Sequence, residues 1–193
     1  MNKTSVIVIA IIVVAALWAM GAYNGMVALQ EDATNAAANV QSAYQRRADL
    51  IPNLVEVVKG YAQHEENTFK EVVEARAKAT QMTIDPSNCT PEQLQAFQKA
   101  QGELGAALGK LIAVSENYPE LKANENFMDL QKQLEGTENR INEARNKFND
   151  TVTVYNREIR TFPKNLFAGI FGFRTMEKFA ADEAAQKAPT IKF

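Results

Sequence analysis

The feature that most constrains this chain is an uninterrupted apolar run close to its N-terminus. Residues 6–22 hold 17 positions without a charge, and only Gly21 falls outside the apolar set. At a rise of about 1.5 Å per residue, a helix over this run is about 26 Å long. Thr4 and Ser5 extend it towards the roughly 30 Å hydrocarbon core of a bilayer. The run therefore predicts either a membrane-spanning helix or a secretory signal.

The sequence after the run distinguishes these two alternatives. A cleaved signal has an apolar region of about 7–15 residues followed by a small-residue cleavage site. Residues 19–21, Ala-Met-Gly, form a poor site of this kind. Tyr23, Met26 and Val40 continue a helical apolar stripe with no breaker between them. We therefore expect an uncleaved anchor, residues 1–22, that runs directly into a soluble helix.

The flanking charges predict an orientation for this anchor. Lys3 lies on its N-terminal side, whereas on the other side Glu31 and Asp32 precede the first basic residue, Arg46. Because cytoplasmic flanks carry the excess of Lys and Arg, we expect a cytoplasmic N-terminus and a body outside the cytoplasm.

The composition excludes several classes of function. Lys and Arg total 21 against 23 Asp and Glu, a formal net charge of -2, which disfavours a nucleic-acid partner because such proteins carry a basic face. A single cysteine, Cys89, excludes an internal disulfide framework and any Cys-rich metal site. A single histidine, His64, leaves little room for metal or triad chemistry.

The rest of the chain is expected to be all-α. Breakers at Pro52, residues 85–91, Pro119 and Pro163 divide residues 23–162 into four helices. We expect the first to end near Leu50, the second to begin at Pro52, and the third to be capped by Thr90. Gly102, Gly105 and Gly109 lie near one face of the third helix, where we expect a neighbouring helix to approach closely. The fourth has a coiled-coil-like seam of about 35 residues: Phe127, Leu130, Leu134, Thr137, Ile141, Ala144, Phe148, Val152, Tyr155, Ile159 and Phe162. Long helices with short connections predict an up-down four-helix bundle.

Residues 163–193 form a third region, an apolar tail. In an up-down bundle the fourth helix returns to the membrane, so the tail begins at the membrane-proximal end. Two interpretations stay open: the tail covers the end of the bundle, or its side chains contact lipid or a membrane partner. The candidate contact residues are Phe167, Ile170, Phe171 and Phe173. A short helix is expected from Met176, followed by an extended segment over residues 189–193.

Several motifs resemble the LemA family of bacterial membrane-anchored helical proteins. The main one is YQRRADLIPNLV at residues 44–55, followed by VKGYA at 58–62. Later matches are NYPEL at 117–121, ENRI at 138–141, Tyr155-Asn156 and Phe162-Pro163. The resemblance covers residues 23–193 and implies an N-terminal anchor in a bacterial plasma (inner) membrane and a four-helix bundle. It implies no catalytic activity and no cofactor.

The polar motifs leave alternatives open. His64 and Glu65 invite a metal-site interpretation, but a di-iron bundle needs two Glu-x-x-His pairs, and Tyr61 stands three residues before the only histidine. A structural alternative is a polar network in which Arg47, His64, Glu65 and Arg76 fix the alignment of the helices. Cys89 follows a loop beside a helix start, which can lower a thiol pKa, yet no orienting group accompanies it.

These observations predict a non-enzymatic, single-pass membrane protein that acts as a scaffold. Its expected partners are the lipid bilayer and further copies of itself or another membrane protein. No small-molecule substrate is indicated. Two alternatives remain: an enzyme that binds a metal through carboxylates and His64, and a membrane-linked sensor or adaptor that transmits a signal through its first helix.

Overall fold

The computed structural model describes residues 2–180, and all the regular structure in this part of the chain is helical. Six α-helices and one turn of 3-10 helix, Ser115–Asn117, make up the described chain. The α-helices are α1 (Lys3–Lys59), α2 (Glu66–Thr80), α3 (Pro91–Val114), α4 (Pro119–Lys122), α5 (Glu125–Arg160) and α6 (Lys164–Ile170). The all-α prediction is confirmed, and α4 is a short helix that the sequence patterns did not indicate.

α1 is a single helix of 57 residues with two different halves. Its first part, residues 6–20, exposes nearly every apolar side chain, as shown by Val14, which is 66% exposed. From Ala22 onward one stripe of the helix is buried, and Val40 is only 1% exposed. Among residues 2–180, α1 is the one helix that is long and apolar enough to cross a membrane.

The expected break at Pro52 is wrong, because α1 continues through this proline to Lys59. A proline inside a helix has no N–H for the carbonyl four residues earlier, here that of Ala48. Arg76 of α2 supplies the missing donor, with its Nε 2.8 Å from the Ala48 carbonyl oxygen. The helix therefore keeps this carbonyl satisfied and ends instead before the Gly60–Glu65 loop, after which α2 begins at Glu66.

α2 and α3 lie against each other in opposite directions. Lys78 pairs with Glu103 at 2.6 Å, while Lys110 pairs with Glu71 at 2.7 Å. Residue numbers therefore rise along α2 in the direction in which they fall along α3, so the two helices are antiparallel. The expected start of α3 is confirmed: the Thr90 hydroxyl accepts from the backbone N–H of Gln93, and the Gln93 side chain accepts from the N–H of Thr90. This reciprocal pair is a capping box.

α1 and α5 also pack side by side, and their shared core shows that they are antiparallel. Residues 26–44 of α1 cluster with residues 141–159 of α5, whereas residues 51–58 of α1 cluster with Phe127 and Leu134. Every buried residue of α5, including Thr137, belongs to the seam predicted from the sequence. The C-terminal end of α5 therefore lies beside the end of the exposed apolar part of α1.

A strap, residues 173–180, follows α6 and has no helical structure. It runs back along α5 and buries Met176 and Phe179 in the core. The helix expected from Met176 is therefore wrong for residues 176–180, because here the side chains of α5, rather than neighbouring turns, satisfy the backbone. The extended segment expected at residues 189–193 lies outside the described residues.

Candidate functional site

The packed helices that follow the exposed apolar part of α1 are called the body here. Arg47 lies at the centre of the body and links three helices. Only 4% of it is exposed. Its guanidinium donates to Glu138 Oε1 of α5 at 2.7 Å, and to the side chain and carbonyl oxygens of Gln101 of α3 at 2.6 and 3.1 Å. Gln101 in turn donates to the carbonyl of Ala79 near the end of α2 at 3.2 Å. Hydrogen bonds to a charged donor are stronger than neutral ones, so this buried layer fixes how the helices align.

A polar cavity of about 230 Å³ opens beside Arg47, between α1, α3 and α5. Gly102 and Gly105 line it, and no atom of a neighbouring helix lies within 4 Å of where a Cβ on Gly102 would stand. The expectation that the glycines of α3 let a neighbouring helix approach closely is therefore wrong for Gly102 and Gly109, while a Cβ on Gly105 would meet Nη1 of Arg47 at 3.9 Å. The Nε of Arg47 is buried without a hydrogen-bond partner in the described part of the chain.

The four residues of the predicted polar network lie in three places. Arg47 holds the central layer, and Arg76 caps the Ala48 carbonyl beside Pro52. His64 is exposed in the loop between α1 and α2, and Glu65 Oε1 accepts a hydrogen bond from the Tyr118 hydroxyl at 3.4 Å. The structure thus brings neither His64 nor Glu65 to an arginine at the centre of the body.

The groups that catalysis would need lie apart. Over residues 2–180, no three His, Cys, Asp or Glu side chains form a group that could hold a metal ion. Burial, with the negative charges of Asp85 and Glu177, raises the pKa of the Cys89 thiol above its usual value. A thiol with a raised pKa carries less of the reactive thiolate at neutral pH, which is the opposite of an activated nucleophile.

The apolar tail lies against the start of the soluble part of α1. Phe167 contacts Trp18, with ring centroids 5.6 Å apart. Phe171 and Phe173 both contact Tyr23, at 5.0 and 5.7 Å. These edge-to-face contacts hold α6 beside the last turns of the apolar run. The tail therefore lies beside the end of the exposed apolar part of α1.

The candidate contact residues divide between the two interpretations of the tail. Phe167 and Phe173 are half-buried against α1, whereas Phe171 is exposed and Ile170 is 77% exposed. The sequence placed Phe162 in the apolar seam of the fourth helix, but it lies beyond the end of α5 and is 75% exposed, and Leu166 is exposed as well. Leu166 and Ile170 are four residues apart on α6, a spacing that places side chains on one helical face, and Phe162 lies just before this helix. One face of the tail thus covers α1 and another is an exposed apolar ridge.

Two asparagines of α5 hold the strap by its backbone. The Asn156 amide accepts from the N–H of Met176 at 2.9 Å and donates to its carbonyl at 2.8 Å. Asn149 makes the same pair of bonds with Phe179, at 2.9 and 3.0 Å. Seven helical residues rise about 10.5 Å, and three extended residues span about 10 Å, so the two spacings match. The seven-residue spacing of these asparagines is the sequence feature from which the attachment of the strap could have been predicted.

Residues 36–193 match the sequence model of the LemA family. The Magnetosome protein MamQ of Magnetospirillum gryphiswaldense is 29% identical over 81% of this chain and 64% of its own length. Magnetosome protein MamQ 2 of Paramagnetospirillum magneticum is 30% identical over 88% of this chain and 68% of its own length.

A further relative bears the family's own name. Protein LemA of Metamycoplasma hominis is 24% identical over 85% of this chain and 71% of its own length. This chain spans about two thirds of the two MamQ proteins and somewhat more of this relative. The match to the family covers most of the chain and includes α3, α5 and most of α1 beyond the apolar run. The chain belongs to the LemA family.

Proposed function

We propose that this protein is a non-enzymatic scaffold held in the bacterial plasma membrane by α1. Residues 1–22 form the anchor and residues 23–162 form an up-down four-helix bundle. The bundle binds further copies of itself or membrane-protein partners at the cell envelope. The observation that carries this proposal is the continuity of α1, which is one helix from the exposed apolar run to the centre of the body.

This continuity has a mechanical consequence. A flexible linker would let the body turn freely over the membrane, whereas an unbroken helix couples the body to the anchor. The tail adds a second attachment, because Phe167 and Phe171 contact Trp18 and Tyr23 on α1. A scaffold needs this property, since it must present the same surface at a constant height above the bilayer.

The mass of the native particle tests the scaffold role. The full chain would be extracted from its own membrane in mild detergent and weighed by native mass spectrometry. We expect a discrete multiple of the 21.4 kDa chain, or a complex with other membrane proteins. A bare monomer would count against self-assembly. A monomer with stoichiometric metal that is lost on His64→Ala would favour the metal-dependent enzyme instead.

The body is proposed to lie outside the cytoplasm, and Cys89 offers a test of this orientation. It is the chain's single cysteine and is partly exposed in the loop before α3. A membrane-impermeant maleimide should label it in intact cells, or in spheroplasts if an outer membrane blocks the reagent. Mildly alkaline buffer is needed because the pKa of this thiol is raised. The Cys89→Ser variant is the control, and labelling only after lysis would reverse the orientation.

The tail residues Phe167, Ile170, Phe171 and Phe173 are proposed to contact lipid or a membrane partner. Replacing Phe167, Ile170 and Phe171 with Ser should weaken assembly or membrane contact. It should leave the helical circular dichroism signal largely intact, because these three residues lie in or directly after the short helix α6 and not in the long helices. Loss of cooperative unfolding would show instead that they belong to the core.

A further inference from the structure

We infer that the membrane-proximal end of the body binds the headgroups of anionic phospholipids through Arg157, Arg160 and Arg174. We call these three residues the basic collar. This inference rests on the proposed anchor and names the lipid class that the body contacts. It arises from charges that are distant from the anchor in the sequence and are brought beside it by the fold.

The depth of the basic collar follows from the aromatic contacts. Trp18 and Tyr23 lie at the end of the apolar run, and Trp and Tyr are enriched at membrane–water interfaces. The two residues are about 7.5 Å apart along the helix axis. Phe167 of α6 contacts the ring of Trp18, and Phe171 and Phe173, which follow α6, contact the ring of Tyr23. The segment that connects α5 to the strap therefore lies at headgroup level.

Each arginine of the basic collar is attached to this segment. Arg157 and Arg160 are exposed in the last turn of α5, just before α6. Arg174 is exposed at the start of the strap, and its carbonyl accepts a hydrogen bond from the Tyr155 hydroxyl at 2.9 Å. Arg160 lies four residues beyond Asn156, which places it on the face of α5 that holds the strap. The three arginines thus belong to the same end of the body.

The charge at this end is positive. Lys164 pairs with Glu158, so these two charges cancel and the basic collar is left with three. The acid of the strap, Glu177, lies three residues beyond Arg174, which is about 10 Å along an extended chain. The nearest acids after the anchor, Glu31 and Asp32, lie about 12 Å or more beyond Tyr23 along α1. Guanidinium groups bind phosphate oxygens through paired hydrogen bonds, so phospholipid headgroups match this surface.

The exposed apolar ridge gives the same partner a second contact. Phe162, Leu166 and Ile170 lie next to the basic collar and are exposed. A short helix with an apolar face and adjacent basic residues is typical of segments that lie in the membrane interface. Such a helix buries its apolar face at the level of the acyl chains while its cations reach the headgroups.

Trp18 provides the readout, since it is the chain's only tryptophan and contacts Phe167 of α6. The full chain would be reconstituted in vesicles that mix phosphatidylglycerol and phosphatidylcholine with identical acyl chains. In one series the phosphatidylglycerol is brominated, and in the other the phosphatidylcholine. Bromine quenches tryptophan fluorescence on contact, so the two curves give the preference of the site around Trp18 for the anionic lipid.

We expect a preference for phosphatidylglycerol of about fivefold, the factor that a single basic side chain near an anionic surface provides. The preference should fall with added salt, because mobile ions screen exposed charges. The triple variant Arg157→Gln, Arg160→Gln, Arg174→Gln should bring it close to one. A matched variant, Lys70→Gln, Lys122→Gln, Lys132→Gln, removes three exposed charges elsewhere and should retain the preference.

The outcomes separate this inference from the proposed function. Equal quenching by both lipids in the wild type, or a preference that survives in the triple variant, overturns the basic collar but leaves the anchor in place. No quenching by either lipid would overturn the anchor itself. Circular dichroism of each variant verifies that the substitutions leave the fold intact.

Discussion

The two halves of α1 belong to one continuous helix, yet the structure places them in different surroundings. Along residues 6–20 apolar side chains point in every direction and are exposed, whereas beyond Ala22 they form one buried stripe. A helix that is apolar all round needs an apolar medium on every side, but a striped helix needs only neighbouring helices. The distribution of apolar residues around the axis, more than their number, decides what a helix packs against.

The largest effect is expected when one charge is placed in each half. Val40→Asp puts an unpaired carboxylate in the core and should lower the free energy of unfolding by more than about 4 kcal/mol. Val14→Asp should leave that free energy unchanged in detergent, although it opposes membrane insertion by about 3 kcal/mol. Denaturant unfolding followed by circular dichroism, with membrane fractionation, measures both. Similar destabilisation by the two variants would show that residues 6–20 are part of the core.

The stability of the buried half of α1 also depends on the hydrogen bonds of Arg47. Arg47→Ala removes the hydrogen bonds to Glu138 and Gln101 and should lower the free energy of unfolding by roughly 3 kcal/mol. Its exposed neighbour provides the control, since Arg46→Ala should change the free energy by less than about 0.5 kcal/mol. Equal effects in urea unfolding would remove Arg47 from the stabilising core.

A double-mutant cycle sharpens the comparison at Pro52. Arg76→Ala leaves the Ala48 carbonyl without its donor and should lower the free energy of unfolding by about 1–2 kcal/mol. In a Pro52→Ala background the same change should be less damaging, because residue 52 then has an N–H for that carbonyl. An identical loss in both backgrounds would show that Arg76 acts through other contacts.

The smallest effect is expected at the strap, which lies against the buried half. Asn156→Ala removes both bonds to Met176 and should lower the free energy of unfolding by about 1 kcal/mol. Hydrogen exchange at the amide of Met176 should become faster, because that N–H loses its acceptor. Asn146→Ala, an exposed change on the same helix, is the control. Unchanged exchange in Asn156→Ala would mean that the apolar contacts of Met176 hold the strap unaided.

Predictions from sequence succeeded where the determining interactions are local. The capping box of α3 depends only on Thr90, Gln93 and the backbone between them. The seam of α5 follows from the 3.6-residue period of a helix, since its apolar residues must share one face. The family assignment depended on motifs of contiguous residues, which is why the sequence comparison confirmed it.

The failures occurred where the deciding partner is distant in sequence. Pro52 suggested a break, but Arg76, 24 residues later, supplies the donor that keeps α1 intact. Glycines of α3 suggested close packing, but the face that they share borders a cavity. The sequence from Met176 suggested a helix, but Asn149 and Asn156 satisfy the backbone of the strap instead.

The sequence alone determined that the chain is helical, that its first helix is apolar enough to cross a membrane, and that it resembles the LemA family. These properties depend on composition, periodicity and adjacent residues. Tertiary structure decided where α1 ends, which arginines are buried, and that Arg157, Arg160 and Arg174 belong to the end of the molecule beside an apolar run more than 130 residues away. The physical reason is that hydrogen bonds and charges act through distance in space, which only the packed chain defines.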